Sequence, residues 1–332
     1  MRIGAILTQA EGRAAENYFR RASAGDNPET NRPSALNYPL DVLGSPLLRR
    51  SVAKLLRAGV ESTTVLKDAS SSGNLIPAQR GKGSALLPDW EKTVAGAIND
   101  GIDYLFLVRV GAYTDLDYSD LLEFHLHTRA PFTRAYGPAG AIDVAVVSLK
   151  SLRDSSGNCR KALFSLVPQQ RRFDFSGYIN SLRNLRDLYQ LMQDGLYGRC
   201  DLRPAGTEIR ENVWVGQRAK IDATTVVSGP AFIGDASEIS ASCAIAGGCS
   251  IERNCKIDYG TLIQESCILQ DTYVGVALDV RRAVAGGQKM YPLNRNVEIK
   301  IADRRLVRSN LKNPSLFAEL GSWLSGGAQQ AD

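Results

Sequence analysis

Two aspartates separated by a single residue, Asp115 and Asp117, form the pattern in this sequence that most directly suggests metal chemistry. Carboxylate oxygens are the ligands that Mg²⁺ prefers in proteins, so the pair is a candidate metal site. The same residues also have a structural interpretation, in which Asp117 or Ser119 caps a helix over residues 117–128 and Asp115 bonds the preceding turn. The structural interpretation is favoured, and Mg²⁺ binding at Asp115 and Asp117 is the alternative.

Other residue types that bind metals or act as bases are sparse or unfavourably spaced. The two histidines, His125 and His127, lie two residues apart on one predicted helix and therefore do not share a face. The chain has six cysteines and no Cys-x-x-Cys pair. Four of the cysteines recur in register with a repeat and are predicted to be small buried residues rather than disulfides or metal ligands: Cys243, Cys249, Cys255 and Cys267.

Aliphatic residues recur at every sixth position between residues 209 and 269. This period predicts a β-helix, in which each hexad forms one short strand and turn, three hexads close a triangular coil, and the branched residue points inward. The aliphatic positions are Ile209, Val215, Ile221, Val227, Ile233, Ile239, Ile245, Ile251, Ile257, Ile263 and Leu269. Four residues after each, we expect a second, smaller inward residue: Val213, Ala219, Thr225, Ala231, Ser237, Cys243, Cys249, Cys255, Thr261, Cys267 and Tyr273.

Strands and helices alternate in the first two hundred residues, which predicts an α/β domain with a mostly parallel sheet. The predicted strands cover residues 1–8, 62–66, 104–110 and 142–148, and the predicted helices cover residues 46–59, 89–99, 117–128 and 179–196. The chain is thus divided into three parts. They are an α/β domain (1–200), a hexapeptide-repeat β-helix (201–285), and a final segment (286–332) with a capping strand and an apolar helical stripe at 314–325.

The order of these parts resembles the sugar-nucleotide pyrophosphorylases, the nucleotidyltransferases that make NDP-sugars, including the mannose-1-phosphate guanylyltransferase type. Residues 39–60 (PLDVLGSPLLRRSVAKLLRAGV) resemble the family's P-V-x-G-x-P-L segment. Residues 106–125 resemble its F-L-V-x-x-G-D-x-x-T-D-x-D segment, and residues 177–192 resemble its Y-W-x-D-I-G-T-P-E-D-Y segment. The resemblance implies a Rossmann-like (GT-A-like) nucleotidyltransferase domain followed by a left-handed parallel β-helix.

The chemistry of that family requires groups that this chain lacks. Its enzymes join a sugar 1-phosphate to the α-phosphate of an NTP, using Mg²⁺ held by carboxylates together with basic groups. The resemblance assigns the two metal-binding aspartates to positions that are Ala112 and Ser181 here, and only Gly12 of the Gly-rich nucleotide loop remains. It therefore implies a catalytically degenerate homologue, a pseudoenzyme that binds, scaffolds or regulates in polysaccharide or sugar-nucleotide metabolism.

A remnant nucleotide pocket is expected at the carboxyl ends of the parallel strands. Its predicted residues are Thr8, Gln9, Gly12, Arg13 and Gly111. We expect its ligand, a sugar nucleotide or a sugar phosphate, to bind without Mg²⁺. Two other functions remain open. One is an active nucleotidyltransferase whose Mg²⁺ site is displaced to Asp115 and Asp117. The other is a hexapeptide acyltransferase, which is disfavoured because residues 200–332 contain no histidine.

Charge and hydropathy narrow the set of partners. The 40 basic residues exceed the 35 acidic ones by five, a surplus too small to predict a nucleic-acid partner. No apolar run approaches the ~18 residues of a membrane span, and the first residues resemble a strand rather than a signal peptide. We therefore expect a cytoplasmic protein. The flat faces of a β-helix favour a homo-oligomer, and the resemblance adds protein partners in polysaccharide biosynthesis.

Overall fold

The computed structural model describes residues 1–10, 41–68, 86–153, 159–295 and 297–310. The predicted helix at 314–325 and the predicted pocket residues Gly12 and Arg13 lie outside them. Within the described ranges, no helix is both long enough and apolar enough to cross a membrane. These residues form a mixed α/β part followed by a region of many short parallel strands.

Strands and helices alternate in the first part, as the sequence predicts. The first helix illustrates why, since Pro46 precedes it and Gly59 follows it with a φ of +82°, a value that favours glycine. The elements in chain order are β1 (Ile3–Ala10), β2 (Asp41–Val42), β3 (Ser45–Pro46), α1 (Leu47–Arg57), β4 (Ser62–Asp68), α2 (Leu86–Asn99), β5 (Tyr104–Val110), β6 (Tyr113–Thr114), α3 (Tyr118–Thr128), β7 (Phe132–Gly137), β8 (Gly140–Ser148), α4 (Lys150–Arg153), α5 (Cys159–Leu166), β9 (Arg171–Asp174), β10 (Ile179–Asn180) and α6 (Leu185–Leu196).

Six of these strands form one sheet in the order β4-β1-β5-β8-β7-β9. β1 is parallel to β4 and β5, and β7 is parallel to β9, but β8 is antiparallel to both of its neighbours. The sheet is mostly parallel, as expected, and β8 is the exception, next to a strand, β7, that the sequence did not predict. Only two residues separate Gly137 from Gly140, and so short a connection cannot cross over to a parallel strand.

The last helix of this part begins later than predicted. The sequence analysis placed a helix over residues 179–196, but Ile179–Asn180 forms a strand that pairs with β6. The backbone at Leu182 then has a φ of +47°, which interrupts any helix. The helix starts after Asn184, whose side chain accepts a hydrogen bond from the Asp187 N–H at 2.9 Å. The cap and the strand pairing together override the apolar periodicity.

Short strands continue the chain from residue 207 to residue 309. Their bounds are β11 (Thr207–Arg210), β12 (Val213–Val215), β13 (Lys220–Ile221), β14 (Val226–Val227), β15 (Ala231–Ile233), β16 (Glu238–Ile239), β17 (Ala244–Ala246), β18 (Cys249–Ile251), β19 (Lys256–Ile257), β20 (Leu262–Gln264), β21 (Cys267–Ile268), β22 (Thr272–Val274), β23 (Asp279–Arg281), β24 (Ala283–Gly286), β25 (Lys289–Pro292), β26 (Ile299–Lys300) and β27 (Val307–Ser309).

These strands lie in three sheets, as expected when each coil contributes one strand to each side of a prism. The first face is β11-β12-β15-β18-β21-β24-β25-β26, the second face is β13-β16-β19-β22-β27, and the third face is β14-β17-β20-β23. Strands from successive coils pair in parallel, and antiparallel pairs occur only where β11, β25, β26 and β27 join the ends. The arrangement is compatible with the β-helix that the repeat predicts.

The spacing between coils changes by one residue partway along the prism. Ile233 pairs with Ile251, eighteen residues on, as three hexads require. Ile251 then pairs with Ile268, only seventeen residues on, because the segment from Ile263 to Ile268 is one residue short of a hexad. Ile268 is accordingly fully buried in the coil core, at the place predicted for the next residue.

Three inward predictions are wrong for this reason. Leu269 and Cys267 are buried, but they lie outside the coil, against the α/β part. Tyr273 is half-exposed, and the next residue, Val274, takes the inward position. Up to that point the pattern holds, since Cys243, Cys249 and Cys255 are free and buried within the coil.

The prediction that Ile209, the first aliphatic residue of the repeat, points inward is also wrong. Ile209 lies on β11, which runs antiparallel to β12 at the lower end of the prism, and its side chain is 52% exposed. An antiparallel capping strand does not follow the inward alternation of the coils. It covers the lower edge that the parallel strands would otherwise leave open.

The α/β part and the prism share one hydrophobic core. The outward side chains of the first face, Phe232, Cys267 and Val284, belong to the same buried cluster as Leu43 and Leu188 of the α/β part. Their burial gives the two parts a common interior, whereas the inward residues of the coils form a separate cluster. The first face therefore serves as one wall of the α/β part.

A buried carboxylate fastens the β2–β3 hairpin to this wall. Glu252 is fully buried, and its two oxygens accept hydrogen bonds from the N–H groups of Leu43 at 2.9 Å and Gly44 at 2.8 Å. The Ser250 hydroxyl donates a third, at 2.7 Å. Burial raises the pKa of Glu252 to about 7, while the hydrogen bonds from Ser250 and Gly44 act in the opposite direction. The hairpin lies so close to the first face that a Cβ at Gly44 would be 2.5 Å from the Phe232 ring.

We expect Glu252→Gln to lower the free energy of unfolding by about 1–3 kcal/mol, because the amide offers one acceptor oxygen where the hairpin presents two N–H donors. Chemical unfolding followed by circular dichroism measures the change. Glu238→Gln is the matched control, since Glu238 is exposed on the second face and its surface ion pair with Lys220 contributes little. Equal losses in the two variants would contradict the role given to Glu252.

Candidate functional site

The strand order predicts a crevice at the carboxyl ends of β1 and β5. The chain passes from β1 to β4 on one side of β1, and β5 lies on the other side. Loops that leave such a switch point diverge and open a crevice, which is where ligands bind in open α/β sheets. Gly111 follows β5 at this edge, and Thr8 and Gln9 lie at the same edge on β1.

A groove of about 160 Å³ lies at this edge, beyond β5. Gly111, Ala112 and Ser181 all line it. Ala112 immediately precedes β6 and Ser181 immediately follows β10, and these two strands pair antiparallel with Asn180 opposite Tyr113. The pairing brings the two positions, nearly seventy residues apart in the chain, to one side of the groove.

The charged groups of the groove are mainly guanidinium groups. Arg109, at the end of β5, has a nearly buried side chain whose Nη1 lies 3.1 Å from Asp143 Oδ2 on β8. Arg134 on β7 approaches the other oxygen of Asp143 at 3.7 Å. Arg183 also lines the groove, and in the described part of the chain its guanidinium makes no ion pair. Arg109 and Arg134 therefore neutralise the Asp143 carboxylate, and Arg183 adds a further positive charge to the groove.

Sequence reasoning missed Arg109 and Asp143, although a signal was present. Each is a charged residue within an otherwise apolar strand, YLFLVRV for β5 and GAIDVAVVS for β8. Val108 pairs with Val144, so the next positions along the two strands, Arg109 and Asp143, are cross-strand neighbours. Opposite charges at neighbouring positions of adjacent strands are a recognised pairing. The sequence did not show that β5 and β8 are neighbours in the sheet.

Of the three predicted pocket residues that the structure describes, Thr8, Gln9 and Gly111, only Gly111 lines the groove with Ala112 and Ser181. Thr8 and Gln9 lie on β1, where they pair with Arg109 and Val110 of β5. Strand β5 separates them from the groove, and they do not line it. The Thr8 hydroxyl is buried and has no hydrogen-bond partner among the described residues. Gly12 and Arg13 fall outside the described residues.

Asp117 has the capping role that the sequence favoured, whereas Asp115 bonds a segment distant in sequence rather than its own turn. Asp117 is the N-cap of α3, and its Oδ1 accepts a hydrogen bond from the Ser119 N–H at 2.8 Å. Asp115 Oδ2 accepts one from the Asp201 N–H at 3.0 Å, which ties the β6 loop to the start of the prism. Both carboxylates are thus engaged by backbone groups, and a metal ion would have to compete with those hydrogen bonds.

A half-buried lysine, Lys54, contacts the same loop from the side of α1. Lys54 Nζ, on α1, donates hydrogen bonds to the carbonyl oxygens of Thr114 and Leu116 and lies 5.3 Å from the centre of the Tyr113 ring. Burial lowers the pKa of Lys54, and the nearby Asp115 carboxylate opposes that shift. Lys54 and Tyr113 also line a cavity of about 30 Å³, which has room for one or two water molecules.

The groove does not fit the Mg²⁺ site of the family that the sequence resembles. Ala112 offers no donor atom, Ser181 offers one hydroxyl, and Asp143 is already paired with two arginines. Over the described ranges, no three His, Cys, Asp or Glu side chains come close enough together to hold a metal ion. The arrangement can instead attract an anion, since guanidinium groups recognise phosphate and carboxylate oxygens directly.

Comparisons with known proteins add no family to this picture. No protein-family model matches the chain, and no curated protein matches it.

His125 lies at the opposite edge of the sheet and takes no part in the groove. Its ring is buried, with Nδ1 2.7 Å from Thr133 Oγ1 and Nε2 2.9 Å from Ser148 Oγ. Burial lowers the pKa of His125 to about 4. His127, two residues later, is exposed, so the two histidines diverge as predicted.

The lowered pKa of His125 predicts a loss of stability in acid. An unfolded histidine titrates near 6.5, so as the pH falls from about 6.5 towards 4 the unfolded state binds a proton that the folded state does not. The His125 contribution is complete above pH 6.5 and decreases below it, by up to about 3 kcal/mol. Urea unfolding from pH 7 to pH 4 should show this slope in the wild type and in His127→Gln, and a shallower slope in His125→Gln. Parallel slopes in all three proteins would contradict the assignment.

Proposed function

We propose that this chain is a degenerate relative of the sugar-nucleotide pyrophosphorylases, in which a nucleotidyltransferase-like Rossmann domain (GT-A-like) is joined to a left-handed parallel β-helix. In this proposal it makes no NDP-sugar. It binds a sugar phosphate or sugar nucleotide in the groove beside β5 without a divalent metal. Binding then serves a scaffolding or regulatory role among proteins of polysaccharide or sugar-nucleotide metabolism.

One observation carries the proposal. The two positions that the resemblance assigns to metal carboxylates, Ala112 and Ser181, line the same groove although they come from different segments of the chain. A chance alignment of two short motifs gives no reason for these positions to meet. Their convergence supports common ancestry of the site, and their side chains support loss of the metal.

The charges of the groove indicate what replaced the metal function. Phosphoryl transfer develops negative charge on the phosphates, which Mg²⁺ and basic groups stabilise together. Here Arg109 and Arg183 supply positive charge, but neither can orient the attacking and leaving oxygens as a bridging cation does. A phosphate group can therefore be bound without being activated. This distinction between binding and turnover is what an experiment has to resolve.

The test combines calorimetry with a pyrophosphate-release assay over a panel of NDP-sugars, NTPs and sugar 1-phosphates. We expect at least one phosphorylated ligand to bind equally in Mg²⁺ and in EDTA, with no pyrophosphate released from any pair. Mg²⁺-dependent turnover that is abolished by Asp115→Ala or Asp117→Ala would overturn the proposal in favour of a displaced catalytic site. Absence of binding by every ligand would also overturn it.

We expect Arg183→Ala to weaken that binding by about tenfold or more, because a charge-assisted hydrogen bond to a phosphate oxygen contributes about 1.5–3 kcal/mol. Arg57→Ala is the matched control, since Arg57 is exposed at the end of α1, away from the groove. Calorimetry with the ligand found above measures both variants. Equal affinities for Arg183→Ala and the wild type would exclude Arg183 from the site.

A gain-of-function variant tests the assignment of the metal positions without any ligand. Replacing Ala112 and Ser181 together by aspartate would place two carboxylates on one side of the groove. We expect the double variant to bind Mn²⁺ in the range of about 0.1–1 mM, as weak carboxylate sites do, measured by the loss of free Mn²⁺ signal in electron paramagnetic resonance. The two single variants are the controls, because one carboxylate does not chelate. If the double variant binds no more Mn²⁺ than the singles, the two positions are not a metal pair.

A further inference from the structure

The three faces of the prism have different surroundings. The first face is covered by the α/β part, with which it shares a buried cluster. On the second face, the outward side chains pair with one another. Lys220 Nζ lies 3.2 Å from Glu238 Oε1, the Tyr273 hydroxyl donates to Asp258 at 2.8 Å, and Arg308 stacks on the Tyr273 ring at 4.3 Å. The third face has neither a cover among the described residues nor such a polar ladder.

The outward residues of the third face are small or apolar through most of its length. Each strand presents two outward residues on either side of one inward residue, as Ala244 and Ala246 flank the buried Ile245. Val226 on the preceding strand is 63% exposed. At the adjoining corner Tyr259 is 56% exposed, a large aromatic surface open to solvent.

The face ends in one pair of opposite charges. Leu262 and Gln264 on β20 stack on Ala244 and Ala246, and on β23 their partners are Asp279 and Arg281. Asp279 and Arg281 are exposed and bond each other at 2.7 Å. One outward column of the face contains Ala244, Leu262 and Asp279, and the other contains Ala246, Gln264 and Arg281. Their charges differ only at the top, where one column is negative and the other positive.

We propose that the third face binds a second copy of this chain, face to face, about a two-fold axis parallel to the axis of the prism. Such an axis keeps each coil at its own height and exchanges the two columns. Asp279 of one copy then faces Arg281 of the other, twice per dimer. At the level of β17 Ala244 faces Ala246, and at the level of β20 Leu262 faces Gln264.

The alternative two-fold axis, perpendicular to the prism axis, is disfavoured by the same residues. It would turn one copy upside down and set Asp279 opposite the apolar Val226. The Asp279–Arg281 ion pair would then be desolvated against a side chain that offers neither charge a partner across the interface, which is costly. Only the parallel arrangement sets Asp279 of one copy opposite Arg281 of the other.

The dimer is expected to be weak and concentration-dependent. Four strands at the usual spacing of ~4.8 Å span only ~15 Å along the prism, which makes the interface smaller than that of a permanent dimer. Oligomeric state is therefore to be measured by analytical ultracentrifugation on the full chain from about 1 μM to about 1 mM, the range in which small interfaces dissociate. We expect a reversible monomer–dimer equilibrium.

Charge reversal across the two-fold axis makes the test specific. Asp279→Arg sets two arginines opposite each other, and Arg281→Asp sets two aspartates opposite each other, so each variant alone should dimerise at least about tenfold more weakly. In an equimolar mixture of the two variants, every contact across the axis again joins opposite charges. We therefore expect the mixture to recover dimers, as heterodimers, with an affinity close to that of the wild type. Lys220→Asp, on the second face, is the control and should leave the equilibrium unchanged.

This design separates the proposal from a folding defect, because a misfolded variant would not be rescued by mixing. A wild-type chain that stays monomeric throughout the range would overturn the proposal, and so would a trimer. Dimers that both single variants leave intact, or a mixture that is no tighter than its components, would likewise show that the third face is not the interface.

Discussion

The buried carboxylate of Glu252 is the contact through which the prism organises the α/β part. It accepts the backbone N–H groups of Leu43 and Gly44, and α1 follows that hairpin directly. Lys54 on α1 then holds the carbonyl oxygens of the β6 loop. The β6 loop pairs with β10, and the ends of that pair line the groove. A chain of polar contacts therefore runs from a coil of the prism to the candidate site.

The prism is also part of the hydrophobic core of the α/β part. Its first face supplies Phe232 and Val284 to the same hydrophobic cluster that contains Leu43 and Leu188. The third coil is one residue shorter than three hexads, and this shortening turns Leu269 out of the coil. Leu269 packs against the α/β part instead and belongs to the shared cluster. An irregularity that would weaken an isolated solenoid here adds apolar surface to the wall shared by the two parts.

The side chains of the groove carry more positive than negative charge. Where the family that the sequence resembles requires carboxylates, this chain has a methyl group and a hydroxyl, at Ala112 and Ser181. The remaining charges come from arginines, and Asp143 is held between Arg109 and Arg134. An unpaired Asp143 would weaken an anion site, so its pairing keeps the groove positive overall. Under the proposed function, this difference in side-chain chemistry is what would separate binding of a phosphate from its activation.

The sequence by itself determined the repeat, the helix at Leu47–Arg57, the cap at Asp117 and the alternation of strands and helices. Each depends on neighbours in the chain. An inward coil residue has no other core in which to be buried. A cap accepts a hydrogen bond from an N–H group two or three residues on, and proline and glycine act on the local backbone.

Only the tertiary structure decided the antiparallel β8, the late start of α6, the shift at Ile268 and the pairing of Arg109 with Asp143. These depend on strands that are distant in sequence and adjacent in space. Register is the common reason: a one-residue slip reverses which side chains face inward, and periodicity within one segment carries no information about its partner.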